Sequence, residues 1–392
     1  MAAGNDTEVC LDIVFVFIVS HSWVIGSFGF IGALFVALGA VLLAYSESVV
    51  ELSERYDSRI TIGNADFISF KVASAMTAPV FIYYELTNFY QNHRRYVASR
   101  DDGQLSEGNG IETGAGAYSS NCSPWSESRY TSEGDKKNTS YQLYPCGLVA
   151  RSVFNDTFTA SVQRADRQSR EVLSIDTSPG TISWKEDVEV KFHQADPKFV
   201  PSGSSRPLIE SVDMWLLKTF PPQVCLPVSP NVPPRRIPVA SRKLSSGMSV
   251  VDCDFTLSTP TCKFESPCIG DFAPQTNAGG FGINNAQFIN WMRTAGLSSF
   301  RKLYGRIDQN LNEGDVLYIG VQSNFPVQSY GGTKSVVLST ATWAGGKNSF
   351  LGITYIVVGG LCIIFTIVYA ILHFRKPTRL IDIDYLDWGE SH

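Results

Sequence analysis

Among the residue types that do chemistry, cysteine has the most informative distribution here. The 392-residue chain holds eight Cys and five His. Of His21, His93, His193, His373 and His392, only two fall in the middle of the chain, so a His-rich metal site is not expected. There is no G-x-S-x-G elbow and no P-loop. Asp101-Asp102 is a carboxylate pair of the kind glycoside chemistry uses, but beside Gly103 it reads as a solvated turn. No residue set meets the needs of acid–base or nucleophilic catalysis, and no cofactor is implied.

Six cysteines do point to a chemistry. Cys122, Cys146, Cys225, Cys253, Cys262 and Cys268 all lie mid-chain, and an even number in an oxidising compartment reads as disulfides. Asn121-Cys-Ser, Asn138-Thr-Ser and Asn155-Asp-Thr are glycosylation sequons in the same region. Asn5-Asp-Thr also matches, but it falls in a segment expected on the cytosolic side. Cys10 lies in the N-terminal tail and Cys362 in an apolar block near the C-terminus.

The elements that place these groups follow from hydropathy. The overall apolar fraction is 44%, within the ordinary range, but its distribution is uneven. Val24 to Tyr45 and Phe350 to Leu372 contain no charged residue, and each spans roughly 33 Å as a helix, enough for a bilayer core. Trp23 and Tyr45 flank the first block, where interfacial aromatics lie. A cleaved signal peptide would need a basic n-region and a shorter apolar core, whereas no Lys or Arg precedes Arg55. Leu11 to Val19 is a further, shorter apolar run. Arg375, Lys376 and Arg379 follow the second block, which places both termini in the cytosol. The expected organisation is a cytosolic segment 1–23, transmembrane helix 24–45, ectodomain 46–349, transmembrane helix 350–372 and cytosolic tail 373–392.

The ectodomain reads as β-rich with long loops. Thr181 to Phe192 alternates strictly, with Ile182, Trp184, Val188, Val190 and Phe192 on one parity, and is expected as a strand. Val80 to Leu86, Val316 to Val321 and Ser335 to Thr340 are further expected strands. Ala286 to Ala295 has helical spacing, with Asn284 or Asn285 to cap it and Gly296 to end it. Residues 101–140 and 222–280, rich in Gly, Ser, Pro and Asn, are expected as surface loops held by disulfides.

A charge-free helix pair offers no ion or substrate path, so transport by this chain alone is not expected. Gly29, Ala33, Ala37, Ala40 and Ala44 form a small-residue stripe that lets another helix approach, and Gly352, Gly359 and Gly360 offer similar points in the second helix. A net charge of -5 gives no reason to expect nucleic acid as a partner.

Four stretches carry a resemblance: YQNHRRYVASR (Tyr90 to Arg100), PCGLVARSVFNDTF (Pro145 to Phe158), FINWMRTAGLSSFRKLYGRI (Phe288 to Ile307) and FPVQSYGGTKSVVLST (Phe325 to Thr340). Together, in this order between two terminal helices, they resemble the cell division control protein 50 / ligand-effect modulator family. Its members are the β-subunits of type IV P-type ATPase phospholipid flippases. The resemblance implies a membrane protein with two transmembrane α-helices flanking a β-rich, antiparallel β-sandwich-like ectodomain with disulfide-linked loops. It implies a non-catalytic, chaperone-like partner of a P4-type ATPase that moves phospholipid from the exoplasmic to the cytosolic leaflet. The implied membrane is the endoplasmic reticulum, Golgi, endosome or plasma membrane.

The resemblance also pairs Cys146 with Cys122 and makes Asn155 a glycosylation site. It matches Asn92, His93, Arg94, Arg95 and Tyr96 to the family's Asn-His-Arg-Arg-Tyr motif, which we read as satisfying buried groups within the fold. Cys225, Cys253, Cys262 and Cys268 allow three pairings. Two features depart from the family pattern: residues 1–23 lack basic residues, and residues 58–78 lack cysteine. A free-standing adhesion or receptor glycoprotein and a luminal enzyme are the competing readings.

Overall fold

The structure, a computed structural model, describes residues 21–106, 120–131, 138–196, 212–234, 237–238, 242–243, 249–250, 253–254, 261–262, 272–340 and 346–375. The apolar run at 11–19, Cys10, Cys268, Lys376 and Arg379 lie outside them. Residues 50–340 form one compact unit, and the two terminal helices belong to another.

In chain order the main elements begin with α1 (His21–Ser48), β1 (Glu51–Arg55), β2 (Ala65–Lys71), β3 (Val80–Leu86) and the short α2 (Arg94–Ala98). There follow β4 (Glu127–Thr131), β5 (Asn138–Leu143), β6 (Thr157–Gln163), β7 (Arg170–Leu173), β8 (Gln223–Pro227) and β9 (Phe272–Thr276). The chain then forms α3 (Ala286–Met292), β10 (Phe300–Ile307), β11 (Val316–Gln322), β12 (Lys334–Thr340) and α4 (Ser349–Arg375).

Two four-stranded antiparallel sheets, ordered β1-β12-β3-β10 and β2-β11-β6-β7, build the β-rich unit. Alternation sets their faces. In β3, Val80, Ile82, Tyr84 and Leu86 are buried and the residues between them half-buried. In β2 and β11, Ile68, Phe70, Leu317, Ile319 and Val321 face the same core. The sheets meet where Phe158 of β6 packs against Tyr304 of β10, ring centroids 4.6 Å apart. β12 is buried along its whole length, as a central strand between β1 and β3.

The expected helix near 286 forms, capped by Asn285, whose Oδ1 accepts from the amides of Gln287 and Phe288 at 3.0 and 3.2 Å. It ends at Met292 rather than reaching Gly296. The reason is Lys302 of β10, whose buried Nζ donates to the carbonyls of Asn290 (2.7 Å), Trp291 (3.2 Å) and Arg293. A lysine that takes the last carbonyls closes the helix a turn early.

The strand expected at Thr181 to Phe192 does not form. Pro179–Ile182 is a helical turn and Asp187–Lys191 a π-helical turn, while Trp184 and Val190 are 63% and 65% exposed. Asp187, placed on the solvent face by the strand pattern, is instead buried, 2.7 Å from Lys191 Nζ and bonded to Arg293 Nε. Burial opposes its charge, but the Arg293 and Lys191 donors hold the carboxylate below its usual value. A buried carboxylate that binds the residue four positions on requires a helical turn, and this outweighs the alternation. Residues 101–140 and 222–280 are also not loop throughout. They contain the Asp102–Ser106 turn, β4, β8, β9 and several two-residue strands.

The terminal pair is long and apolar enough to cross a membrane twice, with mean hydropathy 2.3 for Trp23–Ser48 and 2.5 for Ser349–Arg375.

Candidate functional site

The Asn-His-Arg-Arg-Tyr segment is pinned from both sides. Ahead of it, the Gln91 side-chain oxygen accepts from Ala295 N at 2.9 Å and Phe89 N donates to Ser298 O at 3.0 Å. Asn92 Nδ2 donates to Gly296 O at 3.0 Å. His93 caps α2, its Nδ1 accepting from Arg95 N at 3.3 Å. Tyr96 turns inward: its hydroxyl lies 2.8 Å from Ser152 Oγ and its ring meets Phe89 edge-on. Burial pushes the Tyr96 phenol up to about 12. Asn92, His93 and Tyr96 thus bond within the fold. Arg94 and Arg95 do not: both are exposed, and neither meets a carboxylate among the described residues, which corrects the internal role expected for them.

At the Asn155 sequon, Asn155 is exposed while Asp156 and Thr157 are buried. The Asp156 carboxylate accepts from Tyr56 Oη (2.6 Å), Lys334 Nζ (2.7 Å), Asn324 N (2.5 Å) and Phe325 N (2.6 Å). Lys334 also donates to Ser323 Oγ and to Phe325 O, so the ammonium's three protons are all used. Burial pushes Lys334 below its ordinary value, and the Asp156 charge opposes that shift. With every donor and acceptor engaged, this buried pair is a structural clamp on the start of β12 and has no open valence for substrate. Sequence reading missed it; the signal was a lysine opening an otherwise uncharged strand.

Cys122 and Cys146 are joined in a disulfide that closes a separation of 24 residues. Asp101 reaches the same spot, but both sulfurs are committed to each other, so the trio is not a metal site. The Pro-Cys-Gly motif has a steric logic. Gly147 has φ +99° and a side chain there would come 2.3 Å from Ser99 O, while Pro145 O accepts from Trp215 Nε1 at 2.8 Å. Cys225 is also disulfide-bonded. Cys253 and Cys262 stand opposite each other in an antiparallel pair of two-residue strands. Asn121 is exposed beside the disulfide, and Asn138 opens β5.

A cavity of about 400 Å³ lies between β6–β7 and β8–β9. Among the described residues, Tyr304 is the one ionisable group in its lining, and its hydroxyl already accepts from Phe158 N at 3.0 Å, so these residues offer no acid–base pair there.

In the helix pair, the glycines that matter are seven apart. A methyl at Gly359 would lie 2.8 Å from Gly32 O, and one at Gly39 would lie 2.8 Å from Gly352 O. Phe35 and Tyr355 pack edge-to-face, centroids 5.2 Å apart. Of the expected stripe, Gly29 touches Thr366, whereas Ala33, Ala37, Ala40 and Ala44 remain exposed on α1. Gly352 and Gly359 are contact points, and Gly360 has nothing beside it. The Gly32/Gly39 contact was missed, although the matching seven-residue spacing in both helices was its signal.

A protein-family model described as the LEM3 (ligand-effect modulator 3) family / CDC50 family matches residues 42–379. The chain belongs to the CDC50/LEM3 family. ALA-interacting subunit 3 of Arabidopsis thaliana is 32% identical over 390 residues, covering 95% of this chain and 86% of the relative. Cell cycle control protein 50B of Homo sapiens is 31% identical over 366 residues, covering 88% and 85%. Cell cycle control protein 50A of Mus musculus is 28% identical over 385 residues, covering 93% and 88%. The CDC50/LEM3 match spans the end of α1, the whole β-rich unit and α4, so the four resemblance stretches fall within it, while Gly29, Gly32, Phe35 and Gly39 of α1 precede it.

Proposed function

We propose that this chain is the non-catalytic accessory β-subunit of a P4-type ATPase phospholipid flippase. In this reading it pairs with the ATPase, assists its exit from the endoplasmic reticulum and supports its stable, active form, while phosphorylation and lipid passage belong to the partner. The observation that carries the reading is family membership over residues 42–379, with relatives named ALA-interacting subunits. The helix pair fits it: α1 and α4 satisfy each other through glycines, and their only Asp, Glu, Lys or Arg residues are Glu47 and Arg375 at the helix ends. Both termini are cytosolic in this reading. Residues 50–340 are exoplasmic, with glycans on Asn121, Asn138 and Asn155 and further disulfides among Cys225, Cys253, Cys262 and Cys268.

Affinity purification of the tagged chain in mild detergent, followed by mass spectrometry, tests the proposal. A P4-type ATPase should co-purify, Cys146→Ser should lower the yield of the complex, and deletion of the gene with its paralogues should abolish uptake of labelled phospholipid. A stable, active chain recovered with no ATPase would point instead to a free-standing receptor.

A further inference from the structure

Among the described side chains of residues 50–340, every arginine other than Arg94 and Arg95 lies against a carboxylate or an aromatic ring. Exposure does not explain the exception. The side chains of Arg55 and Arg59 are 54% and 52% exposed and are still paired, with Asp57 and Glu54. Arg94 and Arg95 are also adjacent in sequence, so two like charges are held close together without compensation, an arrangement that costs free energy in the isolated chain.

The backbone that carries them is rigidly held. Gln91, Asn92 and Tyr96 bind the Ala295–Gly296 backbone and Ser152 on either side of the pair. The same bonds bring a second surface alongside: Leu297, 73% exposed, follows Gly296, and Tyr90, 57% exposed, precedes Gln91. Two unpaired guanidiniums with an exposed tyrosine and leucine on a pinned loop have the composition of an interface anchor, since Arg and Tyr are the residues enriched at protein–protein hot spots.

We propose that Arg94 and Arg95, flanked by Tyr90 and Leu297, form a recognition patch for a carboxylate-bearing exoplasmic loop of the ATPase partner. The inference rests on the accessory-subunit reading and deepens it. Guanidinium forks match carboxylates in a bidentate manner, and the pinned loop avoids most of the ordering cost of docking. A protein loop is favoured over a lipid surface for two reasons. The anionic lipids that attract basic clusters are those of the cytoplasmic leaflet, and an exposed leucine beside the arginines calls for a shaped apolar contact.

The test uses the full-length tagged chain, purified in detergent with phosphatidylcholine alone or with added phosphatidylserine, at low salt and at about 0.3 M salt. The probe is the P4-type ATPase that co-purifies with the wild type. Arg94→Glu/Arg95→Glu should recover about tenfold less of it, a typical loss for reversing interface charges, while Arg94→Lys/Arg95→Lys should lie between the two. Thermal unfolding of the variants should match the wild type, because neither side chain bonds to any described residue of the fold. Replacing the acidic residues of one partner loop by lysine should restore capture by the Glu variant.

Equal capture by wild type and Glu variant overturns the patch and leaves the subunit reading standing. Absence of any ATPase from the wild-type preparation overturns both. A loss confined to preparations with phosphatidylserine makes the ligand an anionic lipid surface and overturns the carboxylate assignment.

Discussion

Lys334 Nζ and Asp156 Oδ2 lie 2.7 Å apart with both side chains sealed from solvent, which makes the carboxylate at the middle position of the Asn155 sequon the anchor of a central strand. Removing one partner leaves the other charge buried and alone. Lys334→Met should therefore cost about 3–5 kcal/mol in denaturant unfolding. Asp156→Asn preserves the Asn-X-Thr sequon, so it should destabilise the fold while leaving occupancy of Asn155 unaltered in a glycosidase gel-shift assay. In a double-mutant cycle the two changes should couple strongly; additive losses would show that the pair is not a unit.

The contact of Gly32 with Gly359 predicts a sharp size limit in the helix pair. With Cys introduced at Phe35 and Tyr355, whose rings pack 5.2 Å apart, a short bifunctional thiol-reactive cross-linker should join α1 to α4 efficiently. Gly359→Leu should reduce the yield several-fold, because its side chain would displace the Gly32 backbone. Gly360→Leu, at a position with open space, should leave the yield unaltered and serves as the control.

Closing 24 residues with the Cys122–Cys146 bond should contribute about 3.5 kcal/mol by the chain-entropy relation. Cys122→Ser/Cys146→Ser should lower the unfolding midpoint accordingly. Gly147→Ala should also destabilise with the disulfide intact, since the added methyl meets Ser99 O. If Gly147→Ala melts like the wild type, the turn is not constrained as described.

Lys302 predicts a pH dependence. Burial, then the Arg293 charge, brings its ammonium down to about 7 in the fold, against about 10.4 for a free lysine. Between those values the unfolded chain binds more protons than the folded one, so this residue makes stability rise as pH increases from about 7 towards 10 and adds no slope below 7. Lys302→Met removes the titrating group. The melting temperature of the wild type minus that of the variant should grow across this window, and a constant difference would rule the effect out.

Local chemistry explains what was legible. Val24 to Tyr45 and Phe350 to Leu372 needed only their lack of charge to be read as helices, since a bilayer-length apolar run has few alternatives. Val80 to Leu86 and Ser335 to Thr340 carry β-branched and aromatic residues that suit a pleated surface, and both lie in strands. Asn285 was one of two expected caps, and its side chain closes the first turn of α3. The segment at 181–192 misled because its alternation put Asp187 on the solvent face, whereas Asp187 is buried against Arg293, over a hundred residues away.

The amino-acid order therefore settles the elements that depend on near neighbours: two apolar helices, most central strands, a capped helix and the family to which they belong. Contacts between residues far apart in the chain required the folded molecule. Lys334 finds Asp156 across 178 positions, Lys302 of β10 ends α3, and Gly32 meets Gly359. The same holds for Arg94 and Arg95, which face outward unpaired among the described residues. Whether a charge is compensated is decided by which carboxylates the fold brings within a few ångströms, and periodicity along the chain carries no record of that distance.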